Sequence, residues 1–392
     1  MEFQRAVLTN GYKYVFSQSA LFTLIWILML VMNCVPAIAF EDPLQSKAIM
    51  SPLASKALLL DVAIADGLVV AVGDRGHIVY SEDAGDSWRQ AQVPVRVTLT
   101  AVTFPESGAD GWTVGHQGVI LVSHDAGKTW TKQLDGRQAH QLMADVFAKA
   151  VEEKTKELEG AKEEERENLK TEREELETRL EDSQAYVEEG PNRPFLDVWF
   201  RNASEGFAVG AFGLIVSTSD GGKTWTCPAA AIENPEAYHF NSINMTGGVL
   251  YIAGEAGHAW RSLDMGATWE IVETPYIGSF FAIGGDDDSV MFGGMIGNVF
   301  LSHDHGDSWV KVASNTRINI SSVLTLKDGR LLASQYSSKL LISNEDQTQL
   351  TPLNLSLRGA ISSIALNKDG YLFAAGTNGV QRINALNYFS KD

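Results

Sequence analysis

Residues 123–130 read SHDAGKTW, a Ser-x-Asp-x-Gly-x-Thr-Trp pattern that the chain repeats. Four further copies are SEDAGDSW at 81–88, TSDGGKTW at 218–225, SLDMGATW at 262–269 and SHDHGDSW at 302–309. A glycine lies twelve residues before each tryptophan, at Gly76, Gly118, Gly213, Gly257 and Gly297. Five copies with one internal spacing identify a repeat, and a repeat determines the architecture of the whole chain.

Each conserved position of this motif has a mechanical explanation. A short Asp side chain accepts backbone N–H groups across a tight turn, and the Gly two residues later tolerates positive φ. The Trp buries a large apolar surface and retains one N–H for a polar partner. We therefore predict structural corners at Asp83, Gly85, Trp88, Asp125, Gly127, Trp130, Asp220, Gly222, Trp225, Asp264, Gly266, Trp269, Asp304, Gly306 and Trp309. The alternative, a calcium or catalytic carboxylate, is disfavoured because one Asp per turn gives too few calcium ligands.

The spacing of the motifs predicts a β-propeller. The five tryptophans are separated by 42, 95, 44 and 40 residues, so three intervals have the length of one repeat. Around the first motif, strand-like runs at 59–64, 68–72 and 77–80 are separated by turns, and Trp88 opens a fourth strand. Four short strands in about 40 residues are typical of a propeller blade.

Two degenerate copies follow the five complete ones, so the fold class predicted is all-β, a seven-bladed β-propeller. Gly297, Ser338 and Gly379 are each 41 residues apart, which keeps the register. The last copy lacks a fourth strand, and we expect residues 46–56 to supply it and close the ring. The predicted blades cover residues near 57–95, 97–137, 194–230, 238–275, 279–314, 319–354 and 360–386, so the propeller occupies residues 40–137 and 191–392.

The long interval contains an insertion at residues 138–190, which is rich in Glu, Lys and Arg and contains no proline. Apolar residues recur at helical spacing near its start and in a loose heptad near its end. Gly160 can break the run, and Gly190-Pro191 ends it. We predict a charged antiparallel helical hairpin with an apolar base, either a partner-binding arm or a solvated spacer.

Blade geometry places the insertion on the face opposite the Asp motifs. It follows a fourth strand, and links between blades lie on the same face as the turns joining second to third strands. Large or charged residues at these turns form a candidate partner-binding face: Arg75, His116, Phe212, Glu255, Met295, Ile296 and Tyr336. The apolar members indicate a recognition patch if they cluster, and ordinary surface scatter if they do not.

The first 39 residues resemble a signal peptide. Arg5 and Lys13 precede an apolar run at residues 21–31, and small residues at 37–39 fit a cleavage site near Ala39. An uncleaved anchor is the alternative, and Asn33 before Cys34 fits a lipoprotein signal poorly. After cleavage only Cys227 remains, which excludes an intrachain disulfide and which we interpret as a packing residue. No second apolar run is long enough to insert into a membrane.

Composition argues against several partners. A net charge of −18 disfavours a nucleic-acid backbone and an anionic membrane surface. The sequence contains no His-x-x-His or Cys cluster and no phosphate-binding loop, so we expect neither a metal nor a cofactor. The oligomeric state does not follow from these features.

Val114-Gly115-His116-Gln117-Gly118 before the second motif, and residues 209–213 before the third, extend the pattern to Val-Gly-x-x-Gly. This combination resembles the photosystem II stability and assembly factor family, within the wider group of Asp-box (BNR-repeat) propellers, over about residues 57–137 and 191–385. The resemblance implies a non-enzymatic scaffold that assists a membrane protein complex. Photosynthetic members are lumenal. Exported relatives in non-photosynthetic bacteria are linked to resistance-nodulation-division (RND) transporters.

The chain departs from the photosynthetic pattern in its insertion and its acidic charge, so a non-photosynthetic bacterial type is expected, in the periplasm. A sialidase-like glycoside hydrolase is the alternative. A sialidase needs an arginine triad and a Tyr-Glu nucleophile pair, and residues 57–137 contain few arginines, namely Arg75, Arg89, Arg96 and Arg137. Retaining and inverting glycosidases need two carboxylates about 5–10 Å apart, whereas Asp74 and Glu255 fall in the first and fourth blades, on opposite sides of a ring. We therefore predict a binding scaffold for a membrane protein complex and no catalytic residues.

Overall fold

Short antiparallel strands joined by tight turns form seven separate sheets in the computed structural model, which describes residues 41–385 and residue 388. The predicted signal peptide lies outside these residues. The first four sheets contain β1 Leu59–Ala65, β2 Leu68–Gly73, β3 Ile78–Ser81 and β4 Arg89–Gln90; β5 Leu99–Thr103, β6 Gly111–Gly115, β7 Ile120–Ser123 and β8 Thr131–Leu134; β9 Phe195–Phe200, β10 Gly206–Gly210 and β11 Ile215–Thr218; β12 Phe240–Thr246, β13 Val249–Gly254, β14 Ala259–Ser262 and β15 Glu270–Ile271.

The remaining three sheets complete the series. They contain β16 Phe280–Asp286, β17 Ser289–Gly294, β18 Val299–Ser302 and β19 Val310–Val312; β20 Ile320–Thr325, β21 Leu331–Gln335, β22 Leu340–Ser343 and β23 Leu350–Leu353; β24 Ile361–Leu366, β25 Tyr371–Gly376 and β26 Gly379–Asn384. In each sheet the strands pair in chain order. This is the meander of a propeller blade, so the seven-bladed propeller is confirmed.

The core lies between neighbouring blades. Second strands such as β6 and β13 are buried at every residue because both of their faces pack on an adjacent sheet. The first strand of each blade contacts the first strand of the next, and β24 contacts β1, which closes the ring. Side chains reinforce the closure, since Ser362 Oγ donates to the Leu59 carbonyl at 2.9 Å.

The strand expected at residues 46–56 is absent, and this prediction was wrong. The segment contains only a short 3-10 turn at Ala54–Lys56. Its polar groups are used by the first blade instead: Ala48 N–H donates to the Val93 carbonyl at 3.1 Å, and the Gln90 side chain bonds Ser51 N–H and the Ile49 carbonyl. The 3-10 turn contacts β26 without forming a strand beside it, and the seventh sheet has three strands.

The insertion forms the predicted helical hairpin, with α1 at Gly136–Gly160 and α2 at Glu163–Glu189. The helices have 25 and 27 residues and are each roughly 40 Å long. Asp135 caps α1 in a capping box with Gln138, which fixes where the helix begins. Its buried residues are near the base, including Met143 and Phe147. Within the described residues, no helix has the length and hydropathy of a membrane span.

Candidate functional site

The Asp motifs form the turns between third and fourth strands, and all five share one hydrogen-bond pattern. In the second blade, Asp125 Oδ1 accepts from Ser123 Oγ at 2.8 Å and from Thr129 N–H at 2.9 Å, while Oδ2 accepts from Thr129 Oγ1 at 2.7 Å. Gly127 N–H donates to Ser123 Oγ at 2.9 Å. Both carboxylate oxygens are therefore bonded within the turn, in the manner of a structural corner.

The backbone of these turns explains the glycine. Gly127 has φ +88°, and the residue before it, Ala126, has φ +56°. The same pair of left-handed residues recurs in the other four motifs. Two consecutive residues of this conformation strongly favour Gly in at least one position.

The motif tryptophans pack between blades but differ in their polar contacts. Trp130 is buried, and its Nε1 donates to the Gly127 carbonyl at 2.9 Å. By contrast, Nε1 of Trp225, Trp269 and Trp309 is buried and bonds to none of the described residues. The expectation of a polar partner is therefore fulfilled at Trp130 but not at those three positions, where apolar burial dominates.

Hydrogen bonding holds the motif carboxylates ionised. Donation by Ser87 and Ser81 lowers the pKa of Asp83 to about 2, and the equivalent donors lower the pKa of Asp220 and Asp304 to about 2. A carboxylate bonded in this way is a poor general acid, because it stays unprotonated at neutral pH.

The opposite face carries the turns between second and third strands, hereafter the upper face. In five blades this turn is a single 3-10 turn whose middle residue has φ between 53° and 58°: Arg75, Gln117, Phe212, Ala256 and Ile296. A left-handed conformation is costly for a β-branched residue, so Ile296 is strained. Strain of this kind persists where the surrounding structure imposes it.

The structure brings together three of the seven candidate face residues. Asn319 joins them: its Oδ1 accepts from Ile296 N–H at 2.9 Å, and its carbonyl accepts from Tyr336 N–H at 3.2 Å. Met295 precedes Ile296 in the same turn. Ile296 is 54% and Tyr336 is 51% exposed. These residues lie in the fifth and sixth blades.

The sequence analysis missed two further apolar residues beside this group. Ile277, which is 92% exposed, lies in the link from the fourth to the fifth blade, where the neighbouring Tyr276 donates its hydroxyl to the Met295 carbonyl at 3.0 Å. Ile318 lies in the next link and is also exposed. We call Ile277, Met295, Ile296, Ile318 and Tyr336 the apolar patch. The sequence feature that could have identified these two residues is an isoleucine in a link between blades.

The other four candidates do not join the patch. Phe212 lies against the hairpin, with its ring 6.1 Å from Tyr186 and 4.7 Å from His239. The remaining three are at the turns of other blades: exposed Arg75 and His116, and half-buried Glu255.

The base of the hairpin covers the upper face over the second and third blades. Arg193 stacks 3.6 Å from the Tyr186 ring centre and 5.2 Å from that of Phe212. Its Nη1 donates to Glu189 at 2.8 Å. Gly118 approaches Gly136 so closely that a Cβ on Gly118 would be 2.5 Å from its Cα. The hairpin is thus seated on a glycine turn.

A central channel of about 520 Å³ contains two half-buried carboxyls, Asp61 and Asp197, that the sequence analysis did not single out. Asp61 accepts from Val62 N–H, Val102 N–H and Ser363 Oγ at 2.6–2.8 Å. Burial raises the pKa of Asp61 to about 6 and that of Asp197 to about 7. The sequence feature that could have identified these carboxyls is an acidic residue within an otherwise apolar first strand of a blade.

These channel carboxyls link blades. Asp61 joins the seventh, first and second blades through Ser363 and Val102. Asp197 joins the third to the fourth, accepting from Ser242 Oγ at 2.8 Å and Ile243 N–H at 2.9 Å. All four carboxylate oxygens accept hydrogen bonds from protein, which favours a structural role over general acid chemistry. Cys227 is a free, buried thiol whose pKa burial raises to about 12.

Asp74 and Glu255, the two carboxyls considered for a glycosidase, interact with different partners in different blades. Asp74 accepts from Thr98 Oγ1 at 3.1 Å, whereas Glu255 lies 3.8 Å from His239 Nδ1 in another blade. Among the described residues, no group of three or more His, Cys, Asp or Glu side chains could hold a metal ion.

Comparison with known proteins identifies a matching family. A family model described as photosynthesis system II assembly factor YCF48 matches residues 45–153 and 183–381. The photosystem II assembly lipoprotein Ycf48 of Synechococcus sp. (strain CC9902) is 32% identical over 121 residues, which cover 29% of this chain and 35% of that protein. The match thus spans about a third of the relative's length.

Solved structures agree on the fold. YCF48 bound to D1 peptide is 14% identical with a TM-score of 0.57, covering 85% of this chain and 94% of that one. YCF48 from Cyanidioschyzon merolae is 15% identical with a TM-score of 0.57, covering 86% and 97%. The WD40 propeller domain of Doa1 aligns with a TM-score of 0.56 at 10% identity over 86% of this chain and 95% of that one.

Proposed function

The chain belongs to the photosynthesis system II assembly factor YCF48 family, and we propose that it is a non-enzymatic scaffold that binds a segment of a membrane protein complex and assists its assembly or function. A relative of the same fold binds a D1 peptide. For this chain we propose an exported location, in the periplasm, with an RND-type transporter as the candidate complex.

The apolar patch is the observation that supports this proposal. Five large apolar side chains project from neighbouring turns and links of one face, on a protein whose overall charge is −18. Exposed apolar groups that cluster mark interaction surfaces more often than scattered ones do. A rigid propeller presents such a patch at low ordering cost, because its turns are fixed before binding.

The strain at Ile296 points in the same direction. Its backbone has φ 56° and ψ 31°, and its side chain is 54% exposed, so burial does not offset the strain. A smaller or polar residue would be more stable in this turn. Binding a partner supplies a reason for an isoleucine at this position.

The proposal is tested by capture from membranes. The tagged protein is incubated with detergent-solubilised membranes of the source organism, and integral membrane proteins that co-purify are identified by mass spectrometry. We expect the Ile277→Asp/Ile296→Asp double variant to capture at least tenfold less of one membrane protein than the unmodified chain. Charge at the centre of an apolar contact is costly to desolvate.

Leu263→Asp is the matched control, because Leu263 is 62% exposed in the Asp motif of the opposite face. It should leave capture unchanged. Equal loss with both variants, or no loss with the double variant, would contradict the proposed face. Hydrolysis of a panel of glycosides by the unmodified protein would contradict the non-enzymatic scaffold.

A further inference from the structure

Between the base of the hairpin and the link from the third to the fourth blade lies a cleft of about 400 Å³. Phe147, Leu176 and Arg179 of the hairpin form one wall. The opposite wall comprises residues 229–235 with Gly213, Phe240 and Trp269. The family match excludes residues 154–182, so Leu176 and Arg179 of this wall lie outside the matched residues, whereas Phe147 lies within them.

Arg179 in this cleft is an unusual cation. Its side chain is only 6% exposed, and Nη1 is buried without a hydrogen-bond partner among the described residues. The nearest carboxylate oxygen, Asp182 Oδ2, is 4.0 Å away, beyond hydrogen-bond distance. A buried guanidinium normally has its donors bonded, because an uncompensated buried charge costs several kcal/mol.

The neighbours of Arg179 leave its donors available to the cleft. The Phe147 ring centre lies 5.2 Å from its guanidinium carbon. Nη2 lies beside Gly213, where an added Cβ would be 3.2 Å from it. The Asn234 side chain, which also borders the cleft, is engaged with the Tyr238 backbone at 2.9–3.0 Å. No side chain described here completes the guanidinium's hydrogen bonds.

We propose that this cleft binds a carboxylate attached to an apolar group, with Arg179 as the residue that pairs with the carboxylate. A guanidinium forms two parallel hydrogen bonds with a carboxylate, which matches its unbonded donors. Phe147 and Leu176 on one wall and Ile232 on the other supply apolar surface for the attached group. The volume is in the range of small-ligand sites, about 300–1,000 Å³.

The charges around the cleft favour a monoanion over a dianion as the ligand. Glu172, Glu175 and Glu233 border it, and Lys154, the other cation, is paired with Glu172 at 2.7 Å and Glu157 at 2.9 Å. A dianion such as phosphate would be repelled by the glutamates, whereas a monoanion has only one charge to accommodate. The carboxylate can come from a small organic acid or from the carboxyl end of a peptide.

Calorimetric titration of the full chain tests this site, with no membrane partner present, so the result is independent of the proposed scaffold function. The probes are N-acetyl-leucine, its uncharged amide, and inorganic phosphate. We expect N-acetyl-leucine to bind at least tenfold more tightly than the amide or phosphate. Equal binding of acid and amide, or tighter binding of phosphate, would overturn the proposal.

Arg179→Leu should weaken binding of N-acetyl-leucine at least tenfold and raise the melting temperature of the ligand-free protein, because it removes a buried unbonded charge. A purely structural arginine would lower that temperature when replaced. Arg173→Leu, on the same helix but outside the cleft, is the matched control and should bind like the unmodified protein. Unchanged binding by Arg179→Leu would refute the site.

Titration with a short peptide distinguishes the two possible sources of the carboxylate. Tighter binding of acetyl-Ala-Ala-Leu than of N-acetyl-leucine supports a peptide carboxyl terminus, and equal binding supports a small acid. If Arg179→Leu fails to fold, the comparison of acid and amide on the unmodified chain still tests the proposal.

Discussion

The two faces of the propeller use their repeated turns in opposite ways. On the face of the Asp motifs, polar side chains are bonded inside each turn, as at Asp125 with Ser123 and Thr129. On the upper face, turns of nearly the same backbone conformation present exposed side chains such as Ile296 and Arg75. The repeated hydrogen bonds therefore stabilise the face of the Asp motifs. The side chains at the turns of the upper face differ from blade to blade and are available for recognition.

The largest effect should come from the tryptophan of the structural face. Trp130 is 4% exposed and bonded to Gly127. We expect Trp130→Ala to lower the free energy of unfolding by about 3–5 kcal/mol, since a large cavity remains. Urea unfolding measures this value. Trp88→Ala, at a half-buried position, is the control and should cost less. A loss below about 1 kcal/mol at Trp130 would weaken the contrast between the faces.

Stability should vary with pH in two opposite directions. The folded-state pKa of Asp61 is about 6, above its unfolded value near 3.8, so the folded chain binds more protons between these values. Its contribution to the free energy of unfolding therefore decreases as pH rises from about 4 to about 7, by about 2–3 kcal/mol for a shift of about 2 units. Asp197 acts in the same direction.

The motif carboxylates act the other way. With folded-state pKa values of about 2, Asp83, Asp220 and Asp304 contribute stability above pH 4 that is lost as pH falls towards 2. Denaturant titration from pH 3 to 8 should thus show a maximum of stability between about pH 4 and 5. Asp61→Asn should reduce the decrease in stability above about pH 5. An unchanged slope in that pH range would argue that Asp61 is ionised throughout.

The smallest stability effect should occur on the upper face. Ile296→Asn relieves the left-handed strain, so we expect a gain of about 0.5–1 kcal/mol in the free energy of unfolding together with weaker capture of the membrane partner. Ile277→Asn, outside the set of left-handed residues, should weaken capture without a stability gain. Loss of stability in Ile296→Asn would show that the isoleucine serves folding.

Much of the propeller could be predicted because each blade is specified locally. The Asp-x-Gly turn, the glycine twelve residues earlier and the Trp recur with one spacing, and Gly297, Ser338 and Gly379 extend it to blades without the full motif. The hairpin followed from helical periodicity and Gly160. Residues 46–56 were misassigned because their pairing depends on Val93 and Gln90, which no local pattern indicates.

The candidate site was only partly predictable. Met295, Ile296 and Tyr336 were identified from their turn positions, but whether they meet depends on Asn319 and on the links that contain Ile277 and Ile318. Links between blades vary in length and composition, so their register cannot be read from the repeat.

By itself the sequence determined the ring of seven blades, the side from which the hairpin emerges and the division between two kinds of turn. These features depend on spacing of a few residues, where the chemistry of Asp, Gly and Trp acts locally. Only the tertiary structure decided which apolar turns meet, which carboxyls enter the channel and that Arg179 is buried near the base of the hairpin. Those outcomes depend on packing between segments far apart in the chain, where burial and hydrogen-bond partners come from other blades.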